Sequence, residues 1–317
     1  MSMPVYAILI VTRNRPVFLA STLDSIQKQD VTASVRLLVV DASDPAEAEK
    51  NRSTISQFEA GETIHILYPD APSTARQRNF GFDRLPEDTE VVFLLDDDVE
   101  LTSGYLQTLG NALVEDRTLG AIGGLKLKPD GSHDVTPSGY MWLRRFFCLD
   151  HPKAGRLLLS GCTSPANGRP VRQRTDVEWL SGFGMALRRE VVDSFRTDAI
   201  LTGYSLHEDL DFTYRIGKEW RLAIDPSAGL IHHNAPSNRF SRRDYAMRLL
   251  IHRYWIVEKN IRHPLKKPAF WWATLGQMLL LTLSRNPSAT DVRKGITRAI
   301  PVVLRRMDPI LAKRPEA

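Results

Sequence analysis

The sequence predicts an α/β fold with a mostly parallel central sheet and a basic helical extension at the C-terminal end. Three observations predict it. Short apolar strand-like runs, unbroken at Val5–Val11 and Val91–Leu95, alternate with helical patterns from Val5 to Leu95, the rhythm of parallel strands joined by right-handed crossovers. The two unbroken runs lack the polar alternation of a strand with one wet face, so they read as buried strands. Acidic residues gather where two of these runs stop, at Asp41 and at Asp96–Asp98, and open α/β sheets bind ligands at the carboxyl ends of their strands.

In chain order, Val5–Val11 is the first strand. Thr12-Arg13-Asn14-Arg15-Pro16 follows as a turn, and Pro16 opens a helix running to about Lys28, because the N–H that proline lacks is not needed at a first helical position. Val35–Val40 is the second strand, closed by Asp41. Glu47–Phe58 is helical, Thr63–Tyr68 is the third strand and Thr74–Phe82 the third helix. The fourth strand begins at Val91 and runs into Asp96-Asp97-Asp98. If the extended backbone continues there, the period of two puts Asp96 and Asp98 on one side and Asp97 on the other. Two carboxylates on one side suit a hard divalent cation that shares its ligands with substrate phosphates. The competing expectation is an acidic loop in which Asp98 or Thr102 caps a helix over Tyr105–Val114. Leu119–Leu127 is a further strand.

Lys128–Asp176 has no clear period and fills with Gly, Pro, Ser and Arg. Such a stretch is either a flap over a binding site or an ordinary surface insertion. Regular structure resumes over Val177–Arg189, where Gly182 and Gly184 imply a close backbone approach or a tight bend. Phe212, Ile216 and Trp220 then recur every four residues, as do Leu210 and Tyr214, which makes this stretch a helix packed on a core. Glu208 and Asp209 stand at its start, where the helix dipole favours a carboxylate. Arg221–Ile231 is strand-like and ends in His232-His233.

Composition sets the limits. The 317 residues are 43% apolar and 25% charged, ordinary for a globular protein with material for a sizeable core. Cys148 and Cys162 have no metal-ligand spacing and imply a reducing, cytoplasmic setting. Met1–Pro4 is too short to hold a secretory signal. The net charge of +5 hides an asymmetry: from Pro236 onward 17 Lys+Arg face 5 Asp+Glu, a local +12, which leaves −7 on the rest. Such a tail prefers an anionic surface. Peripheral contact with an anionic membrane at its inner face is the expectation, and no nucleic-acid partner is expected. Within the tail, Pro268–Ser284 runs 17 residues without a charge but is diluted by Thr, Gly, Gln and Ser. A helix lying on a membrane, or packed against the preceding domain, fits it better than a span.

The landmarks, in this order and spacing, resemble a family 2 glycosyltransferase of the Rossmann-like GT-A fold. Ile8–Pro16 resembles the opening motif, and Val39-Val40-Asp41 the strand whose terminal aspartate contacts the nucleotide base. Ala75-Arg76-Gln77-Arg78-Asn79-Phe80-Gly81 is similar to the Arg-Asn-x-Gly element near the donor, and Asp96-Asp97-Asp98 to the Asp-x-Asp motif. Glu208-Asp209, followed by Asp211 and Arg215, matches the motif that supplies the catalytic base. Pro226 with His232 six residues later matches a histidine often found as an extra metal ligand. The resemblance covers roughly Val5–His233 and is least distinct across Lys128–Asp176. One departure stands out: the base-contacting strand usually continues Asp-Asp-Gly-Ser, and here it reads Asp41-Ala42-Ser43-Asp44, which leaves the nucleobase open.

The resemblance implies a GT-A domain over 1–235, with 128–176 as an acceptor-side insertion, and a basic helical region over 236–317. It implies metal-dependent transfer of a sugar, with inversion, from a nucleotide-sugar donor to a hydroxyl of a glycan or lipid-linked acceptor. A UDP-sugar is the favoured donor, and synthesis of cell-surface polysaccharide or glycoconjugate the setting. Asp98 would hold Mg²⁺ or Mn²⁺, with His232 as a third ligand and His233 its register alternative. Asp96 would contact the ribose, or the metal through water. Asp97 would be structural. Thr12, Asn14, Asp41, Arg78 and Asn79 would serve the donor, with Arg76 as the exposed alternate to Arg78. Asp209 would be the base and Glu208 the second candidate. Trp179 would either floor the sugar site or sit in the core.

Two rivals share parts of this pattern. A nucleotidyltransferase would carry a Gly-rich, Arg/Lys-bearing loop after the first strand, and Thr12–Pro16 contains no glycine. A non-catalytic surface-binding protein would act through the basic tail alone, and transfer or hydrolysis of a sugar nucleotide would separate it from the enzymes.

Overall fold

The computed structural model describes residues 3–135, 140–235 and 240–312. Pro236, where the basic region was expected to start, and residues 136–139 of the expected insertion lie outside them. Strands and helices first alternate strictly: β1 (Val5–Thr12), α1 (Pro16–Gln27), β2 (Ser34–Asp41), α2 (Pro45–Ile55), β3 (Glu62–Leu67), α3 (Thr74–Phe82) and β4 (Val91–Asp96). Next come β5 (Val99–Leu101), α4 (Tyr105–Glu115), β6 (Leu119–Leu127) and the short α5 (Met141–Phe146). They are followed by β7 (Thr175–Val177), β8 (Gly184–Arg188), α6 (Arg189–Ser194), α7 (Glu208–Ile216) and β9 (Arg221–His232). The long helices α8 (Arg242–Asn260), α9 (Lys266–Leu283) and α10 (Ala289–Leu304) precede the one-turn α11 (Pro309–Ala312).

The chain divides into two compact units. The first comprises 1–135 and 166–237, the second 136–165 and 238–317.

The first unit is built on one nine-stranded sheet of order β3-β2-β1-β4-β8-β6-β9-β5, with β7 also paired to β9. Strands β1 to β4 are parallel to their neighbours in the order β3-β2-β1-β4. Strand β8 reverses between β4 and β6, and β6 and β9 run with the first four. The unbroken apolar runs of β1 and β4 are buried on both faces, whereas β3, at the sheet edge, is half-exposed. On one face Tyr6, Ile8, Ile10, Val39, Phe93 and Leu95 join Leu19 and Leu23 of α1 and Leu106 and Leu109 of α4 in a single core. On the other face α3 lies so close that a Cβ on Gly81 would meet Leu9 Cδ1 at 2.5 Å. Phe82 of α3 in turn stacks on Phe212 of α7.

Three local outcomes differ from the sequence expectation. The extended backbone stops at Asp96, and Asp97 and Asp98 form a turn before β5. Neither Asp98 nor Thr102 caps α4; its N-cap is Gly104, in the left-handed region at φ 75°. The α7 helix ends at Ile216, so Trp220 lies beyond it and packs against Gly120 instead of extending the helical stripe.

In the second unit, Phe147, Leu149 and Ala273 form a small core backed by Leu143, Cys162 and Leu280. A Cβ on Gly276 would strike the Phe147 ring, so α9 approaches the 143–149 segment as closely as a helix can. Among the described residues no helix is long and apolar enough to cross a membrane.

Candidate active site

The site lies at the carboxyl ends of β1, β2 and β4, where register sets Val11 beside Asp96 and Thr12 beside Asp41. The turn after β4 sets Asp97 against Thr12 and Arg15 and leaves Asp96 and Asp98 facing His232. Asp97 is buried, accepting from Thr12 Oγ1 at 2.7 Å and Arg15 Nη1 at 2.9 Å. Burial pushes its carboxyl up to about 6 while Arg15 and Thr12 hold it down. It ties β4 to the end of β1 and the loop after it.

Asp96 and Asp98 face His232, at the end of β9. His232 Nε2 is 3.1 Å from Asp98 Oδ1 and 4.0 Å from Asp96 Oδ2. The neighbouring His233 stands against Glu100, 3.3 Å away, so the strand period separates the two histidines. Asp98 is 3% exposed and Asp96 31%, a deep ligand and an accessible one. The Ala235 N–H donates to Asp98 Oδ2 at 2.7 Å. Burial alone would raise the Asp98 carboxyl; His232 and this N–H outweigh it and bring the group below its ordinary value. Phe183 lies against the His232 ring, centroids 5.0 Å apart, and limits its rotation.

The three residues fit a cation. One ligand atom from each of Asp96, Asp98 and His232 lies within 4.8 Å of the others. Asp98 Oδ1 is buried and accepts no aligned hydrogen bond, despite the nearby imidazole. Two carboxylates with one imidazole suit Mn²⁺ or Mg²⁺ better than a soft metal.

Arg78 joins this group to the start of α7. Ser73 caps α3 by accepting from the Arg76 N–H, and the helix carries Arg78 inward to 2% exposure. Its Nη2 donates to Asp96 Oδ1 at 3.0 Å and to the Gly182 carbonyl at 2.8 Å, and its Nη1 to Glu208 Oε1. Glu208 and Asp96 keep the guanidinium charged against its own burial. Burial pushes Glu208 up to about 8, with Asp209 and Asp96 adding to it and Arg78 opposing.

Asp209, half-buried, is held differently. Gly182 N–H donates to its Oδ2 at 2.9 Å, and the Leu210 N–H to its Oδ1 at 2.8 Å. Gly182 thus accepts from Arg78 and donates to Asp209 with one peptide group on each side. A Cβ there would meet Arg78 Nη1 at 2.6 Å and Asp209 Cβ at 3.0 Å, so only glycine admits both contacts.

The remaining expected donor residues are distributed unevenly. Thr12 reaches the site through Asp97. Asn14, at φ 54°, clasps Asp44: its Nδ2 donates to Asp44 Oδ2 and its Oδ1 accepts from the Asp44 N–H, joining the loops after β1 and β2. Asp41 is buried and accepts from the Ser43 N–H and Asn51 Nδ2, with His65 Nε2 3.1 Å away. These bonds outweigh burial and keep its carboxyl below the ordinary value. Asn79 is not brought to the site. One residue after Arg78 on a helix it turns about 100° away, and its amide is committed to Thr197, donating to the carbonyl and accepting from the N–H. Arg76 donates instead to the Ala199 carbonyl. Trp179 is half-buried in the loop between β7 and β8. Sequence reasoning did not single out Arg15 or the Ala235 N–H, and for Gly182 it foresaw a close approach without its partners.

A family model described as glycosyl transferase family 2 matches residues 7–171, 165 of the 317 residues. The chain belongs to that family. This glycosyltransferase also resembles solved structures across nearly its whole length. One is the mannosyltransferase PcManGT from Pyrobaculum calidifontis, in complex with GDP-Man and Mn²⁺. It is 17% identical with a TM-score of 0.56, over 98% of this chain and 85% of that one. GalNAc-T7 with UDP, GalNAc and Mn²⁺ is 16% identical with a TM-score of 0.63, over 98% of this chain and 59% of that one. S. aureus TarS in complex with UDP-GlcNAc is 12% identical with a TM-score of 0.55, over 96% of this chain and 83% of that one. At these identities the likeness is one of fold, and the fold is GT-A. No curated protein matches the sequence. The family match contains the Asp96–Asp98 turn and α3, whereas His232, Glu208 and Asp209 of the glycosyltransferase lie beyond it.

Proposed function

We propose that this family 2 glycosyltransferase moves a sugar from a nucleoside diphosphate donor to an acceptor hydroxyl with inversion at the anomeric carbon. The observation that carries the reading is the cluster of Asp96, Asp98 and His232, joined through Arg78 and Gly182 to Asp209. Asp98, Asp96 and His232 are the ligands for Mg²⁺ or Mn²⁺, which when bound supplies positive charge against the leaving diphosphate. Asp209 takes the proton of the acceptor hydroxyl while that oxygen bonds to the anomeric carbon and the bond from carbon to diphosphate breaks. One displacement gives one inversion. Arg78, whose donors go to Asp96, Glu208 and Gly182, positions these groups rather than reaching for the donor.

The nucleoside falls to the ends of β1 and β2, where Thr12 and Asn14 stand and Asp41 supports the loop from beneath. A UDP-sugar is the preferred donor in this reading, with a GDP-sugar as the alternative. The acceptor is a hydroxyl of a glycan or of a lipid-linked sugar, as in the synthesis of cell-surface polysaccharide or glycoconjugate.

The test is nucleotide binding with and without metal. Two half-buried ligands and one deep one hold a cation weakly until a diphosphate adds its own oxygens. UDP or GDP should therefore raise the melting temperature in Mn²⁺ and leave it unmoved in EDTA. Asp98→Ala should remove the shift. Equal binding in EDTA and in Mn²⁺ would take the cation out of the mechanism.

A further inference from the structure

The second unit carries chemistry that the transfer reaction does not use. Its two segments hold 21 Lys+Arg against 6 Asp+Glu, a formal charge of +15, which leaves −10 on the first unit. The α9 helix contains no acidic residue, and α10 contains one, Asp291.

Large apolar side chains are exposed on this same unit. Trp272, Leu275, Leu279 and Leu283 lie at spacings of three and four on α9 and are 40%, 49%, 46% and 77% exposed. They form one line along the helix. Phe146 extends it, its ring 5.4 Å from Trp272 and its carbonyl accepting from Trp272 Nε1 at 2.9 Å. Trp142, one turn earlier on α5, is exposed as well. A row of this kind at the surface of a globular protein marks a contact with an apolar phase.

The groove between α9 and α10 changes character along its length. One end is lined by Trp271, Leu275, Met278, Ile300 and Leu304. The other end keeps Met278 but adds Arg293, Lys294 and Arg298. An apolar end continuing into a cationic end suits a molecule that is itself apolar at one end and anionic at the other.

We propose that the outer face of α9, with α5 and α10 beside it, docks on the surface of an anionic phospholipid bilayer. The helix lies along the interface and does not cross it: no described helix has the length and hydropathy for that. Leucines and tryptophans enter the boundary between headgroups and acyl chains, and Lys294, Arg298 and their neighbours meet lipid phosphates. Charge complementarity selects this occupant. A second copy docked through the same unit would bring a second unit of formal charge +15 against the first.

The docking is independent of the active site and is read without it. Wild-type protein is sedimented with vesicles of phosphatidylcholine alone or mixed with phosphatidylglycerol, at low and at high salt. It should pellet with the mixed vesicles at low salt and stay in solution with phosphatidylcholine. Lys294→Glu and Arg298→Glu should each lower partitioning by roughly fivefold or more. Leu279→Asp with Leu283→Asp should lower it by about tenfold or more. All four residues are exposed, so unchanged melting temperatures and unchanged transfer to a soluble acceptor are expected of these variants. Wild-type protein that stays in the supernatant with mixed vesicles at low salt would overturn the proposal. So would a dimer in solution that Leu279→Asp dissociates, since the face would then belong to a second copy.

Discussion

Glu208 and Asp209 are adjacent carboxylates with opposite surroundings. Glu208 is buried, clamped by Arg78, and raised to about 8 by that burial. Asp209 is half-buried and held by two backbone N–H groups. A general base must reach the proton it takes, which favours Asp209. The variant Asp209→Asn keeps one side-chain acceptor for two N–H donors, so it should fold with a loss of about 1 kcal/mol. UDP or GDP should still shift its melting temperature in Mn²⁺, while turnover falls by roughly 10²-fold or more. Near-normal transfer by the folded variant would move the role to Glu208. Asp96, Asp98, His232 and Arg78 were singled out in the sequence through their likeness to family motifs, and the structure brings them together. What connects them was not legible there. The N–H groups of Gly182 and Ala235 hold Asp209 and Asp98, and a backbone donor has no letter in the sequence.

At the scale of an element, α3 shows how packing on one face decides chemistry on another. Gly81 lets the helix lie against Leu9 of β1, and Gln77 ties it to the Thr12 and Val40 carbonyls at the strand ends. Arg78 is thereby fixed at its depth. Gly81→Ala puts a methyl 2.5 Å from Leu9 Cδ1, and overpacking of this kind costs about 1–3 kcal/mol. The expected outcome is a modest fall in melting temperature and a larger fractional fall in turnover, because α3 moves off the sheet and takes Arg78 with it. Turnover that falls no further than folded protein is lost would show that Arg78 tolerates the displacement. Element by element, the parallel half of the sheet was legible because β1 and β4 are continuous apolar runs and helical patterns alternate with all four strands. Strands β5 and β7, three residues each, are too short to show a period. The reversal of β8 was hidden too, since direction in a sheet leaves no mark on an apolar run.

For the whole molecule, the informative fact is that the second unit is assembled from two separated pieces of chain. The charge asymmetry of its C-terminal piece was visible in the sequence. Its partnership with 136–165 was not, because contacts across long separations carry no periodic signal. Phe147 and Leu149 bury themselves against Ala273 and the 276–280 turn of α9. Removal of 238–317 should leave that aromatic segment uncovered and yield aggregated protein. Removal of both 238–317 and 136–165, with Val135 joined to Ala166 by a short Gly/Ser linker, should yield a soluble chain that retains its circular dichroism. Equal solubility of the two truncations would show that the segment finds cover elsewhere.

The same arrangement sets an order in time. A ribosome delivers Phe146 and Phe147 early, and Gly276, against which Phe147 finally rests, is translated 129 positions later. At about 5–20 residues per second the wait lasts on the order of ten seconds. Through that interval the nascent chain displays Trp142, Phe146 and Phe147 within one short stretch, the kind of apolar segment that chaperones hold. Every sheet strand is translated before α9, the helix that covers this segment, begins. The last quarter of the chain therefore closes a hydrophobic exposure that its middle opened.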